Sequence, residues 1–588
     1  MFEIIRKIRA LKNLREHFLT LTLCFLCLLF LVSLFKNISY PLLWADESMT
    51  VMHGKRVLEY GYPKVHDGKN AVYDLRHSNP KLGVDEKTDA FIGGANWGMY
   101  YVAAVAVTLA HISNDIFTKT AILRIPFALA GLIGLVILGL LGAQFCDSRS
   151  SKRGFWVLFA FLELISVPLV LHLREVRYYS LAVFLTALII FSYTRYKILK
   201  KGNYLTYAVL LTVSLFLLFV TFSPGYFIFL IAISLYESIG FAKALFSRYI
   251  KKNSQILPGV PSLNQSFKCY LRDLLPLVFS LIAVSPLIFF FKTFYIAEEM
   301  AKFNFLLFGI SKWNMYLYNL SVIWRYFASF DFIYLVIFLK LCFLLSCVRF
   351  SLKGLAPSST RKLMFSNFLT IIFVVYFFAI AKIPNFPFTR YLIPLQPVLA
   401  VMIILDTVLI FNLISIRLPR KDNYYKLILL MVFAGFVLTN MVKNVEHLKG
   451  HVYELSHQYK GPLDYLIPFI RDTYGDTEKL VIATNYEETS LMYYLDSKVI
   501  IGYVGNNLEQ DSQMVPDLVI FRKGWRNLDP KIFIYFFSKN HYQRISFPVF
   551  DYKVNNIPEL NLSPEYQHQF RTLNTENERM KVDIFLKK

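Results

Sequence analysis

Cysteine, acidic residues and internal repeats are scarce or missing in this chain of 588 residues. Six cysteines occur, at positions 24, 27, 146, 269, 342 and 347, and 40 acidic residues stand against 63 basic ones. Because the cysteines fall in apolar runs or short basic loops, a disulfide framework for the exterior segments is excluded. The lack of repeats argues against a transporter built from inverted halves. The first apolar run has no small-residue cleavage site, so we interpret it as a retained anchor.

Long apolar runs dominate what is present. Hydrophobic residues make up 56% of the chain and aromatic residues 17%. A helix needs about 20 apolar residues to cross a bilayer, so runs of this length predict a polytopic membrane protein and exclude a soluble one. The eleven predicted spans are residues 17–35, 120–145, 155–171, 178–193, 204–222, 225–240, 274–295, 327–348, 363–381, 391–414 and 426–441.

Basic residues concentrate in alternate loops. Cytoplasmic loops of membrane proteins carry such an excess of lysine and arginine. With eleven spans these loops share one side, so we predict a cytoplasmic N-terminus and an extracytoplasmic C-terminal region. The distribution explains the basic balance without a nucleic-acid partner. Almost all of the net charge of +23 lies in residues 1–16, 146–153, 195–201, 243–273, 349–362 and 417–426.

Three exterior regions are too long to be simple connectors. Residues 36–119 form the first loop, which ends in a short apolar segment, 97–112, that is typical of an interfacial helix. Residues 296–326 are polar and aromatic, which predicts a second interfacial segment. From 442 to 588 short apolar runs, at 480–483, 499–503 and 517–521, alternate with helical patterns at 462–474 and 487–495, as in a small soluble α/β domain. That domain has no glycine-rich phosphate loop, zinc spacing or nucleophile elbow.

An acid pair follows the first span directly. Residues 44–48 read Trp-Ala-Asp-Glu-Ser, which places Asp46 and Glu47 at the membrane edge. Neighbouring side chains on a helix diverge by about 100°, so one acid can face a site while the other anchors the loop. An ionised carboxylate there can take a proton from a nucleophilic hydroxyl. A solvated acid pair at a helix start is the alternative interpretation.

Cationic side chains recur at the same predicted membrane face. Between the third and fourth spans the sequence His-Leu-Arg-Glu-Val-Arg-Tyr-Tyr contains two arginines, which share a face if the segment is helical. Converging guanidinium groups predict a phosphate site, with snorkelling interfacial anchors as the alternative. The candidate phosphate-binding residues are Arg174, Arg177, Tyr178, Lys292, Arg325, Arg390 and Tyr391.

Two carboxylates stand inside predicted spans, Glu163 and Asp406. Charge at that depth is costly and marks a function or an internal pairing. Protonation or a hydrogen bond between helices is the ordinary explanation. A transporter or flippase for lipid-linked saccharides is the functional alternative that these two residues keep open.

Taken in order, three segments resemble the C-type-fold membrane glycosyltransferases that use polyprenyl-phosphate sugars, among them protein O-mannosyltransferases and aminoarabinose transferases. The segments are residues 44–48, the Arg-Tyr segment 173–180, and Arg-Tyr-Leu-Ile-Pro at 390–394. The resemblance covers the layout of about residues 1–415. The membrane domain as a whole is predicted to span residues 1–441. It departs from many bacterial members at 93–98, where Gly-Gly-Ala-Asn-Trp-Gly replaces a Lys-Pro-Pro segment.

The resemblance implies an inverting transfer of a sugar from a polyprenyl phosphate to an acceptor hydroxyl on the extracytoplasmic side. Asp46 would be the general base, Glu47 would hold the acceptor or the loop, and the arginines would stabilise the leaving phosphate. No metal or other cofactor is expected, since the Trp-Trp-Asp-Tyr-Gly motif of oligosaccharyltransferases is absent. We expect a bacterial inner membrane location. A polymerase or ligase that uses a lipid pyrophosphate oligosaccharide is a further alternative.

Overall fold

The computed structural model describes most of the chain. Its described residues are 2–72, 83–251, 263–308, 311–330, 332–349, 357–383, 389–417, 422–443, 460–501, 514–522, 541–551 and 581–588, with positions 445, 448, 449, 452 and 458.

Sixteen helices occupy the described residues up to 443. They are α1 (Phe2–Phe35), α2 (Ala45–Tyr60), α3 (Trp97–Ala110), α4 (Ile116–Ala143), α5 (Arg149–Ile165), α6 (Val167–Leu173), α7 (Tyr178–Tyr193), α8 (Tyr204–Thr221), α9 (Ser223–Lys251), α10 (Leu263–Phe290), α11 (Thr293–Phe308), α12 (Lys312–Phe330), α13 (Ile333–Arg349), α14 (Pro357–Ile380), α15 (Gln396–Arg417) and α16 (Asp422–Lys443). A 3-10 helix, Thr389–Leu395, precedes α15.

The apolar helices agree with the predicted polytopic membrane protein. By length and composition, nine helices within the described ranges can cross a membrane. The number is eleven if each of two bent helix pairs counts as one span. The pair α5 and α6 bends by 79° at Ser166, and the pair α12 and α13 bends by 87°. Pro168 explains the first bend, because it has no N–H to donate to the carbonyl oxygen of Leu164 and its ring clashes with that carbonyl group. The predicted spans 155–171 and 327–348 therefore each contain a bend.

The first loop places two short helices at the end of the bundle where α1 ends and α4 begins. Helix α3 packs against α2 so closely that a Cβ atom on Gly54 would lie 2.9 Å from the backbone of Ala103. Its other face exposes Val105 and Leu109. A short helix that buries one face and exposes apolar side chains on the other is compatible with the predicted interfacial helix. In the second predicted interfacial segment, 296–326, the described residues 296–308 lie in α11 and 312–326 lie in α12.

A mixed α/β unit follows the bundle and is called here the C-terminal domain. It contains α17 (Leu463–Tyr474), α18 (Glu488–Leu495) and the strands β1 (Val481–Thr484), β2 (Lys498–Ile501), β3 (Leu518–Phe521), β4 (Tyr542–Phe550) and β5 (Lys581–Lys587). The strand order is β2-β1-β3-β5-β4.

In this sheet β1 pairs in parallel with β2 and β3, while β5 runs antiparallel to β3 and β4. Sequence analysis predicted the first three strands and both helices but did not recognise β4 and β5. Neither of those is an uninterrupted apolar run, since Gln543 and Arg544 interrupt β4 and Asp583 interrupts β5. The buried residues of α17, of α18 and of one face of the sheet join the same hydrophobic cluster as the bundle, whereas Ala483, Ile500 and Val519 form a separate cluster.

Candidate active site

Helix α2 begins with the acid pair. Its first turn contains Asp46 and Glu47, and the residue before it, Trp44, gives the helix no side-chain cap. Two carboxylates in a first turn interact favourably with the helix dipole. They do not share surroundings, however, because adjacent side chains leave the helix in different directions.

Glu47 points into the protein and is completely buried. Its carboxylate accepts hydrogen bonds from Arg124 Nε at 2.9 Å and Arg124 Nη2 at 2.5 Å, a paired geometry that suits a guanidinium group. The backbone N–H of Val176 donates a third bond at 3.0 Å. Arg124 also donates to the carbonyl oxygens of Ile38 and Pro41, both at 2.8 Å. Glu47 therefore joins α2, α4 and the α6–α7 turn.

Asp46 faces a cationic cluster. Its Oδ2 atom lies 3.1 Å from Arg390 Nη2 and 3.5 Å from Arg177 Nη2, and its side chain is 22% exposed. Arg177 Nη1 also donates to the Asp46 carbonyl and to Thr50 Oγ1, both at 3.1 Å. Burial acts to lower the pKa of Arg177, but Asp46, Tyr179 and Tyr100 together outweigh burial and raise this pKa. The three charged side chains come from α2, the α6–α7 turn and the 3-10 helix before α15.

Aromatic rings surround this cluster. The Arg390 guanidinium lies 5.6 Å from the centre of the Trp44 ring, and that of Arg177 lies 5.8 Å from the Tyr178 ring. Tyr178 stacks on Phe222 at 5.0 Å, and Tyr391 lies 6.4 Å from Tyr178. Such contacts hold guanidinium planes in place. The predicted residues Arg177, Tyr178, Arg390 and Tyr391 are thus brought together with Asp46.

Arg174 lies in different surroundings. It directly follows α6, and residues 174–177 are not helical, so the condition under which it would share a helix face with Arg177 is not met. Its guanidinium donates to the carbonyl oxygens of Ser33 at 3.5 Å and Lys36 at 3.1 Å, at the end of α1. A cation at this position satisfies carbonyl groups that a helix end leaves unpaired.

Lys292 and Arg325 are both exposed. Lys292 lies near Asp85 in the first loop, where it adds to the hydrogen bond from Thr88 that lowers the pKa of Asp85. Within the described part of the chain, neither cation forms an ion pair with Asp46. They are therefore not among the cations paired with Asp46.

Sequence analysis did not single out Arg124, although it is the one charged residue in the apolar run 120–145, and that was the available signal. Glu175 was expected only to neutralise one of the two arginines beside it, Arg174 or Arg177. In the structure Glu175 is buried, and its Oε2 lies 3.5 Å from His172 Nδ1. Burial raises the pKa of Glu175 well above its ordinary value, and the neighbouring Glu47 adds to the effect.

The two carboxylates inside the spans have polar neighbours. Asp406 on α15 lies 2.9 Å from Lys340 Nζ on α13 and accepts a bond from Ser366 on α14 at 2.5 Å. Glu163 lines a small cavity with Ser166 and Gln396 beside the α5–α6 bend. Asp406 thus has the internal pairing that the sequence left open. Within the described residues no group of acidic, histidine and cysteine side chains is arranged to hold a metal.

Comparisons with known proteins give one kind of match. No family model and no curated protein sequence matches the chain. Two crystal structures of ArnT from Cupriavidus metallidurans are similar to it. The apo structure is 10% identical with a TM-score of 0.45, and the one bound to undecaprenyl phosphate is 11% identical with a TM-score of 0.43. Each match covers 97% of this chain and 98% of the other. ArnT is an aminoarabinose transferase of the C-type fold.

Breaking the buried pair of Glu47 and Arg124 is expected to destabilise the protein. Glu47→Gln leaves a buried guanidinium without its counter-charge, which costs about 3–5 kcal/mol. Chemical unfolding in detergent micelles measures this loss. The double variant Glu47→Gln with Arg124→Met removes both charges and should recover part of the lost stability. Equal instability of the single and double variants would contradict the pairing.

Acid is expected to destabilise the protein through His53 on α2. This side chain is completely buried, stacked 4.8 Å from Phe91, and burial, with Arg56 and Arg177, lowers its pKa to about 3. The unfolded chain protonates at the ordinary histidine pKa, so the stability that the neutral ring contributes is present above about pH 6.5 and is lost as pH falls towards 3.

Melting curves of His53→Phe at several pH values measure this effect. Between pH 6.5 and 4 the variant should lose less stability than the wild type. The difference between the two proteins should be at most about 1.4 kcal/mol per pH unit. His111→Phe, at an exposed position, is the matched control and should behave as the wild type. Identical acid dependence in all three proteins would contradict the assignment to His53.

Proposed function

We propose that the protein is an inverting glycosyltransferase that moves a sugar from a polyprenyl-phosphate carrier to an acceptor hydroxyl. The observation that carries this proposal is the Asp46 carboxylate between Arg177 and Arg390, at one end of a bundle of apolar helices. A lipid phosphate has an apolar tail that suits the membrane and an anionic head that suits two guanidinium groups. An adjacent carboxylate supplies the base that an attacking hydroxyl needs.

The reaction would proceed by a single displacement. Asp46 accepts the proton of the acceptor hydroxyl while that oxygen forms a bond to the anomeric carbon. The bond between this carbon and the carrier phosphate oxygen breaks, and its electron pair stays on the phosphate. Arg177 and Arg390 stabilise the negative charge that develops there, as fixed cations do in a site with little water. The products are the glycosylated acceptor and polyprenyl phosphate.

The pairing of Asp46 with Arg177 and Arg390 affects binding of the donor phosphate. Both guanidinium groups are paired with Asp46 Oδ2, so the donor phosphate has to compete with the carboxylate for the same cations. Binding of the phosphate would draw the arginines away and leave Asp46 to face the acceptor. A negative carboxylate at this position also repels an anionic ligand. Asp46 is therefore expected to weaken donor binding and to accelerate the chemical step.

Supporting context comes from the solved structures described above, one of which is ArnT bound to undecaprenyl phosphate. We take undecaprenyl phosphate as the carrier to be tested first. The extracytoplasmic side of the membrane is proposed from the alternation of basic loops. A transporter is the weaker proposal, because Asp406 is paired with Lys340.

Asp46→Asn is expected to separate binding from chemistry. The amide cannot act as a base, so transfer should fall by about 10²- to 10⁴-fold, while undecaprenyl phosphate should bind at least as tightly as to the wild type. Purified protein in nanodiscs is given a panel of radiolabelled undecaprenyl-phosphate sugars with envelope extract as acceptor, and loss of label from the donor is measured. Binding is followed by tryptophan fluorescence, since Trp44 contacts Arg390.

Glu59→Gln is the matched control, because it makes the same change at an exposed position on the same helix. It should leave transfer and binding unchanged. Full transfer by Asp46→Asn would overturn the assigned base. Weaker binding of undecaprenyl phosphate to that variant would overturn the proposed competition.

Arg390→Ala is expected to weaken binding of undecaprenyl phosphate. A hydrogen bond to a charged group contributes about 1.5–3 kcal/mol, so the dissociation constant should rise about 10- to 100-fold. Arg177→Ala should have a similar effect, whereas Arg325→Ala, at an exposed position, is the comparison and should change binding less than twofold. The same fluorescence titration in nanodiscs measures all three. Equal losses at positions 390 and 325 would contradict a specific site at Asp46.

A further inference from the structure

The C-terminal domain contacts the segment that carries the acid pair, and these contacts are buried. Ser490 Oγ lies 2.7 Å from the carbonyl oxygen of Leu43 and 2.8 Å from Ser48 Oγ. Thr489 Oγ1 lies 2.7 Å from Ser48 Oγ and 3.2 Å from the carbonyl oxygen of Ala45. Ser48, Thr489 and Ser490, called here the hydroxyl cluster, are each at most 4% exposed. Thr489 and Ser490 thus bind residues on both sides of Asp46 in the sequence, Leu43 and Ala45 before it and Ser48 after it.

Further bonds fix the linker just before α2. The backbone N–H of Leu42 donates to Asp464 Oδ1 at 3.0 Å, and that of Leu43 donates to Tyr494 OH at 3.1 Å. Tyr494 OH also lies 2.5 Å from Thr120 Oγ1 on α4. Buried backbone groups without partners are costly, so these bonds satisfy the N–H groups of the linker and fix its position before α2. The start of α2 is therefore held partly by residues more than 400 positions away.

The face of α18 that reaches α2 is itself tied into its own domain. Glu487, directly before α18, pairs with Arg522, whose Nε lies 2.6 Å from Asp551 Oδ1. All three side chains are buried. Arg522 and Asn485 exchange two further hydrogen bonds between side chain and backbone, at 2.7 and 2.9 Å. This ionic cluster gives the hydroxyl cluster a rigid support.

We infer that the C-terminal domain is a positioning element for the Asp46 carboxylate and that Thr489 and Ser490 are the positioning residues. The inference rests on the proposed function, in which Asp46 is the base. Glu47 fixes one side of the first turn of α2 through Arg124, and the hydroxyl cluster fixes the other side. The direction of Asp46 towards Arg177 and Arg390 requires both supports. A displacement of about 1 Å at a reacting group lowers a rate by about 100-fold.

Removal of these hydroxyl groups tests the inference. Thr489→Val with Ser490→Ala keeps nearly the same volume and deletes both hydroxyls of α18. The expected result is a kcat about 10- to 100-fold lower in the transfer assay, with the dissociation constant of undecaprenyl phosphate within twofold of the wild type. Hydrogen exchange should increase in a peptide covering residues 44–50 and stay unchanged in α3.

Two matched variants exclude a general loss of stability. Thr489→Ser keeps the hydroxyl and should keep the wild-type kcat. Ser497→Ala removes an equally buried hydroxyl, whose bond at 2.7 Å goes to the carbonyl oxygen of Thr477 inside the C-terminal domain. It should lower the melting temperature by a similar amount without changing kcat or exchange at residues 44–50.

The results separate the two proposals. Full transfer by Asp46→Asn overturns the proposed function, whatever the other variants do. If Asp46→Asn is inactive but the Thr489→Val, Ser490→Ala variant keeps the wild-type kcat and hydrogen exchange, only the positioning role is overturned. A fall of kcat in Ser497→Ala equal to that in the double variant overturns it as well, since instability would then explain both.

Discussion

The buried pair between Glu47 and Arg124 is the contact on which the arrangement at this end of the bundle depends. It joins the first turn of α2 to α4, and the Val176 N–H adds the turn between α6 and α7. Arg124 simultaneously binds two carbonyl groups of the linker between α1 and α2. A buried ion pair contributes little net stability over an apolar pair, but it specifies one geometry, because an unpaired charge at that place is very costly.

That geometry decides what Asp46 does. Once Glu47 is fixed inside the protein, its neighbour has to leave the helix in another direction, and there it meets Arg177 and Arg390. The hydroxyl cluster supports the same turn from another side. Reactive groups lose their effect when they are held loosely, and the proposed base has two supports on one helical turn. The acid pair thus combines one structural carboxylate with one available for chemistry.

Other charged side chains in the bundle are paired with one another. Asp406 is paired with Lys340, and Lys197 lies 3.0 Å from Glu237 and 2.5 Å from Asp273. These groups neutralise one another between helices, as polar residues in an apolar medium generally must. The Asp46 cluster differs, because it contains two cations for one partly exposed carboxylate. An excess of positive charge beside an accessible acid is the property that suits it to an anionic ligand.

The sequence by itself determined the membrane spans, the order of helices and strands in most of the C-terminal domain, and the candidates Asp46, Arg177 and Arg390. These follow from local composition, because the length of an apolar run and the residues beside it need no knowledge of distant contacts. Only the tertiary structure decided the rest. It placed Arg174 at the end of α1, paired Arg124 with Glu47, bent two spans, and set Thr489 and Ser490 against α2. Each of these depends on contacts between residues far apart in sequence, and no pattern within one segment shows which partner a buried polar group will find.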